Sequence, residues 1–450
     1  MMKKYKKRGG WVDTYTDLES LPISFILQKI YLLPVRTASN DPSSSAFVRL
    51  FLPYVNNTEL TANWNFTIAT SCRLPDLHEA DIAIIQRDAA GIDIAVISNW
   101  LKTWKTAGKK CVLELDDDFF DANELYKRTH SGKWTVSQIV ASVTWLATAA
   151  DAVITSTPHL KNLASEYNQN VFLLPNYLDP GLWDLRNKQL KPHLLHNGDS
   201  ATHKNKGTIK IGYVGTATHD GDLAIITEAM KRLEAEYGDN IQIEVIGAFQ
   251  KCLDKPLFGQ AIPLGEHRMY PQFVKWLRNR MDWDIAVIPL EDNHFNKSKS
   301  HLKYLECSAM GLACVCSDVS TYSSIVENNK NGLLVKNNSE DWYLAIKDLI
   351  ENPAKREQLS LEAYDNLIKN HTTHINTKVY QKILQNINKL SAHQEIPKLP
   401  YQSKSFLEKM LIKRYGRYNR LWSKLLNDPH HYFADSRHGW LRPLRYIFSK

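Results

Sequence analysis

The chain has no long apolar run: nowhere in its 450 residues do the roughly 18 apolar positions needed to cross a bilayer occur together. The basic residues 1–8 are not followed by an apolar core, so no secretory leader is expected. Cysteine is sparse, with six in all, scattered without the spacing of metal ligands. Cys314 and Cys316 fall inside a strand pattern, where buried thiols are expected, and a reduced, cytosolic setting is the default. Charge of one sign is absent from most of the chain. Outside residues 401–450, Lys+Arg and Asp+Glu number 45 each, so the body is neutral. The whole net charge of +8 lies in the last fifty residues, which hold 11 basic and 3 acidic side chains.

The apolar and charged fractions are ordinary for a globular protein, and the length suffices for two core-bearing domains. Strand-like apolar runs at 29–33, 66–69, 80–85, 110–115, 152–155 and 171–174 alternate with helical patterns near 46–55, 92–107, 134–149 and 159–167. A polar segment at 187–206 interrupts this order. A second series of strand-like runs follows at 209–214, 241–246, 285–288, 313–316 and 332–335. Alternation of this kind predicts α/β architecture with two doubly wound parallel sheets. Ligands of such sheets bind beyond the carboxyl ends of the strands.

Four segments at such ends carry candidate chemistry. After the run ending at Leu290 comes FNKSKSHLKYLECSAMG, residues 295–311. It reads as a loop opening a helix, with free N–H groups at the positive end of the helix dipole and with Lys297, Lys299 and Lys303 nearby. That arrangement suits phosphate, and Glu306, one turn beyond Lys303, is placed to accept hydrogen bonds from ribose hydroxyls. After the first strand of the second series, GYVGTATHDGD holds Gly215, Thr216 and His219. Glycine there allows close backbone approach to a phosphate or sugar, and His219 is a donor contact or a capping residue.

In the first series, ELDDDFF ends a buried strand. Consecutive carboxylates at Asp116, Asp117 and Asp118 repel one another and call for a basic or hydroxyl-rich partner. They would orient acceptor hydroxyls or act as base, with Asp118 the catalytic candidate; alternatively Asp118 or Asp121 caps the next helix. The segment NDPSSSAFVR, residues 40–49, offers hydroxyls at Ser43, Ser44 and Ser45 and the cation Arg49, on what is also a serine-capped helix start. In the last fifty residues, Leu407, Leu411, Tyr418 and Trp422 recur at helical spacing among Lys413, Arg414, Arg417 and Arg420, and ten residues are aromatic. A basic amphipathic helix of this composition suits an anionic membrane surface or a partner protein, and no nucleic-acid recognition fold accompanies it.

The 295–311 segment resembles the donor-binding segment of GT-B glycosyltransferases, most closely the large retaining family 4 (group 1) that includes bacterial capsule, O-antigen and lipopolysaccharide enzymes. A subgroup carrying FNxxKSxxKYLE is closer still, and it also shows ELDDDLF where this chain has ELDDDFF. The 427–437 segment looks like the DPxxFFxDS stretch near the ends of capsule and O-antigen transferases, and Asn176 lies in a segment similar to the family's PN(G/Y)hD hinge. The resemblance implies two Rossmann-like domains facing a cleft. Residues 25–186 form the acceptor domain, 187–206 the linker and 207–375 the nucleotide-sugar domain. Residues 376–396 cross back, 397–450 form the basic helical tail, and 1–24 are loosely ordered.

The resemblance further implies that Glu306 holds the ribose, that the Ser300 and His301 N–H groups face the pyrophosphate, and that Ser44, Arg49 and Asp117 meet the acceptor. Two glutamates with seven residues between them mark the family. Glu306 matches the second, and the first falls on Ser298. The family's Arg and Lys fall near Thr216 and Gly221, so Lys299 and Lys303 stand in for that charge. Sugar transfer from a nucleotide-sugar to a glycan or lipid-linked acceptor, with retention and with no metal or other cofactor, is what the resemblance implies. The expected place is the cytoplasmic face of a membrane. The missing residues motivate one rival, a non-catalytic subunit docking a partner synthase through the tail; a third reading is a GT-B epimerase or phosphorylase acting on small sugars.

Overall fold

The computed structural model describes residues 27–37, 40–69, 79–128, 133–185, 207–215, 220–247, 256–263, 269–280, 282–391 and 396–398. The expectations for residues 1–24, the linker, Thr216, His219 and the basic tail lie outside them. Among the described residues, no helix is long and apolar enough to cross a membrane.

The first sheet contains β1 (Gln28–Leu33), β2 (Trp64–Ile68), β3 (Ile82–Gln86), β4 (Lys110–Leu115), β5 (Ala152–Thr155) and β6 (Val171–Leu173), in the order β2-β1-β3-β4-β5-β6. The second contains β7 (Ile209–Val214), β8 (Ile241–Ile246), β9 (Gln260–Ile262), β10 (Ile285–Ile288), β11 (Ala313–Ser317) and β12 (Leu333–Val335), in the order β12-β11-β10-β7-β8-β9. Every pairing is parallel. This is the GT-B arrangement of two doubly wound sheets. Helices cover both faces, which is why β3, β5, β10 and β11 read as unbroken apolar runs rather than alternating ones. The order reverses between β1 and β3 in one sheet and between β7 and β10 in the other, and these switch points open a crevice at the carboxyl ends.

Sequence decides two close contacts in the second sheet. Gly212 of β7 lies flat against the ring of Trp283, where any Cβ would run into the indole. Trp283 is in turn fixed by its Nε1, which donates to Glu244 Oε2 at 2.8 Å. Gly215, just past β7, makes room for the phenol of Tyr213. That is a packing reason for glycine in addition to the close approach inferred from sequence.

After the second sheet the chain returns to the first domain. Leu178 N–H donates to His371 O and Leu178 O accepts from Thr373 N–H, both at 2.9 Å, and the helix Thr377–Lys389 then buries Tyr380, Ile383, Leu384 and Ile387 against the first sheet. Asn57 Nδ2 donates to Thr377 Oγ1 at 2.8 Å, and Gln28 Nε2 to Asn388 Oδ1 at 2.6 Å.

The segment after β1 enters a helix at the Ser43 cap and runs as a π-helix from Phe47 to Val55, with Pro53 inside it. This helix points Arg49 inward, to Glu114 of β4. Arg49 Nε lies 2.6 Å from Glu114 Oε1, and both side chains are 2% exposed. Arg49→Met leaves a buried carboxylate without its cation and is expected to cost about 3–5 kcal/mol, read as a lower urea midpoint. Adding Glu114→Gln is expected to recover most of that loss; no recovery would show that the pair is not its source.

Candidate functional site

Loops from both switch points meet over one cavity of ≈ 190 Å³. Ser44, Ser45, Arg49, Asp116, Asp117 and Asn176 line it from the first domain. Tyr270, Leu290, Lys299, Ser300, Lys303 and Tyr322 line it from the second. The positioning follows from the topology: Ser44 comes after β1, the aspartates after β4, and Lys299 and Ser300 after β10.

The second-domain wall begins with a short helix, His294–Lys297, capped by Asn293, whose Oδ1 accepts from Asn296 N. Phe295 and Asn296 are buried beneath the loop and anchor it. Among the described residues, the Ser300 and His301 backbone N–H groups have no hydrogen-bond partner, and they precede the helix Leu302–Ala309. Lys303 Nζ lies 3.4 Å from the Tyr213 hydroxyl, over that ring. Burial lowers its pKa to about 8. Glu306 Oε1 accepts from the Tyr270 hydroxyl at 2.6 Å. Burial raises its carboxyl to about 7, with the Tyr270 bond and Lys303 opposing. The wall therefore presents lysines and free amides to an anion. Glu306 does not line this cavity; with Lys303 and Gly212 it lines a small pocket of ≈ 10 Å³.

Several side chains expected at the site do other work. Arg49, expected to reach the acceptor, lines the cavity but is buried, and its groups serve the interior. Nη1 donates to Leu174 O and to Asn176 Oδ1, both at 2.7 Å, besides the Glu114 pair. Asp118, the catalytic candidate, does not line the cavity. It is 1% exposed, accepts from Phe120 N at 2.8 Å through Oδ1, and has Oδ2 3.7 Å from His294 Nδ1. Asp116 and Asp117 face the cavity instead. Asp121 caps the following helix, accepting from Asn123 N and Glu124 N. The His301 side chain turns to the returning chain, its ring 6.1 Å from that of His371, and burial lowers its pKa to about 4, leaving it neutral. Ser298, where the family's first glutamate falls, is 0% exposed and also does not line the cavity.

Residues that sequence reasoning did not place at the site are Tyr270, Tyr322 and Leu290, which have no motif to mark them. Asn176, read from sequence as part of a hinge near the cleft, bridges the domains: its Nδ2 donates to Ser300 Oγ at 2.7 Å while its Oδ1 accepts from Arg49. Among the described residues, no group of three or more His, Cys, Asp or Glu is arranged to hold a metal ion.

Residues 199–366 match the family model described as Glycosyl transferases group 1. No curated protein matches the chain. HepE from Anabaena, solved with UDP and glucose, is similar over 81% of this chain and 100% of its own, at 12% identity and a TM-score of 0.53. Sucrose-phosphate synthase from Thermosynechococcus elongatus is similar over 81% of this chain and 99% of its own, at 12% identity and a TM-score of 0.51. TarM of S. aureus is similar over 68% of this chain and 55% of its own, at 15% identity and a TM-score of 0.46. At these identities the structural likeness carries the fold alone. The matched domain holds β7 to β12 and the lysine-bearing wall of the cavity. Residues 199–366 are therefore a glycosyl transferases group 1 domain, set in a chain of GT-B fold.

Proposed function

We propose that the protein transfers a sugar from a nucleotide-sugar donor to a hydroxyl of a glycan or lipid-linked acceptor, as in bacterial surface-polysaccharide synthesis. The observation that carries this reading is the cavity itself: Lys299, Ser300 and Lys303 face Ser44, Asp116 and Asp117 across a gap between two sheets. The donor diphosphate lies against the free amides and lysines, which stabilise charge as the phosphate leaves. Glu306 accepts from the ribose hydroxyls. In retention by front-face attack, the sugar C1–O(phosphate) bond breaks, the acceptor oxygen bonds to C1 on the same face, and its proton passes to the leaving phosphate. No protein nucleophile is required, and no metal is assigned a role. Contact between the domains excludes water from the reacting centre. The basic tail serves as the attachment to an anionic membrane surface. A second reading, a non-catalytic docking subunit, draws support from Ser298, whose buried position offers the sugar no carboxylate.

Nucleotide binding is the first consequence to test. A thermal-shift panel of UDP, GDP, CDP and dTDP is expected to show one selective stabilisation, and UDP is the natural first choice because HepE is solved with it. Glu306→Ala is expected to weaken binding roughly tenfold, the loss of a charged hydrogen-bond acceptor. No shift with any nucleotide, in folded protein, would favour the docking subunit.

Binding is also expected to depend on pH in a defined sense. Glu306 is protonated below about 7 and accepts more weakly, without its charge, whereas Lys303 is neutral above about 8 and stops attracting phosphate. Affinity is thus highest between these values and falls on both sides. Glu306→Gln removes the acid limb and Lys303→Arg the alkaline one. A flat profile from about pH 6 to about pH 9 would contradict the assignment of these two residues.

A further inference from the structure

One cation and one carboxylate face each other across the cleft. Lys299 Nζ lies 3.5 Å from Asp117 Oδ1, and both side chains line the cavity. The residues on either side of Lys299 are tied to the first domain. Thr157 Oγ1 donates to Ser298 O at 3.1 Å, and Asn176 Nδ2 to Ser300 Oγ at 2.7 Å. The Lys299 N–H itself bonds to Asn296 O at 3.1 Å. The lysine therefore springs from a loop held at three successive residues, through backbone atoms at Ser298 and Lys299 and through the side chain at Ser300. Its neighbour carboxylates have other partners: Asp116 lies 3.5 Å from Arg87 Nη1, and Asp118 accepts from Phe120 N. Of the three aspartates, Asp117 both lines the cavity and pairs with the donor-side loop.

We propose that Asp117 is a counter-ion placeholder for the donor: in the empty cleft it pairs with Lys299, and an arriving phosphate displaces it from that lysine. This rests on the reading of the cleft as a nucleotide-sugar site. Because the loop is already pinned, the exchange is of anions around a stationary cation rather than a movement of the lysine to the ligand. Two anions cannot share one ammonium without repelling each other, so Asp117 lowers donor affinity. The displaced carboxylate stays on the wall that carries Ser44 and Asp116, where an acceptor hydroxyl reaches it. Without Lys299 opposite, it is also more basic, since burial and Asp116 raise its pKa and Lys299 is the chief influence lowering it. Asp117 thus sets a sequence of events in which the donor comes first and prepares the acceptor wall.

Titration calorimetry with UDP, and with GDP, CDP and dTDP in turn, tests this in wild type, Asp117→Asn, Lys299→Gln and the double variant. The Asp117→Asn side chain is of the same size, and an unchanged thermal midpoint confirms an intact fold. Asp117→Asn is expected to bind about three- to fivefold more tightly, the scale of a partly exposed ion pair. In the Lys299→Gln background the same change is expected to give no gain, because no cation remains to compete for. Unchanged or weaker binding by Asp117→Asn, or an equal gain without Lys299, would overturn the exchange while leaving the site assignment standing. No binding of any of the four by folded wild type would overturn the site assignment, and the exchange with it.

Discussion

A guanidinium withdrawn from water calls for carboxylate and carbonyl oxygens, and at the centre of the first domain Arg49 meets Glu114 through Nε, while Arg49 Nη2 and Glu114 Oε2 have no hydrogen-bond partner among the described residues. Glu114 belongs to the central strand β4, Arg49 to the π-helix after β1, and the remaining guanidinium bonds run to Leu174 O and Asn176 at the hinge. Asn176 then passes the connection to Ser300 of the donor-side loop. One buried cation therefore sets the position of a strand end, a helix, the hinge and a loop of the other domain. The cavity has its shape because these four are held together.

Electrostatics at the cavity follow from that frame. Lys299 and Lys303 stand in a partly dehydrated place, and each is balanced by a weak substitute for a ligand: Asp117 across the gap and the Tyr213 hydroxyl beneath. Glu306 is similarly occupied by the Tyr270 hydroxyl. Such partners preserve solvation of the groups without saturating them, which is what a site for an exchangeable charged ligand requires. Pinning the loop through Ser298 and Ser300 keeps the free amides of Ser300 and His301 in place, so little order has to be gained when an anion arrives.

Much of the fold is legible in the sequence because parallel strands buried on both faces write themselves as unbroken Ile, Val and Ala runs. The exception, β9, is a sheet-edge strand of sequence QAI with one buried residue, so it writes no apolar run. At the site, the strand–loop–helix signature around Lys299 and Glu306 identified the lysine-bearing wall, since local backbone geometry suffices to define it. What sequence could not give was direction. Arg49 and Asp118 have the chemistry of site residues but are turned to buried partners, because tertiary partners far along the chain decide those orientations. Tyr270 and Tyr322 were missed for the complementary reason: nothing adjacent to them in sequence marks a tyrosine that packs under a loop from another element.

The cleft between the two sheets is proposed as a nucleotide-sugar site built on the loop before the helix Leu302–Ala309. Hydrogen exchange of that loop with and without nucleoside diphosphate tests it most directly. Slowed exchange in peptides covering residues 298–305, together with those covering 44–49 on the opposite wall, is the predicted result. Protection at neither, while nucleotide is bound elsewhere or not at all, would contradict the account.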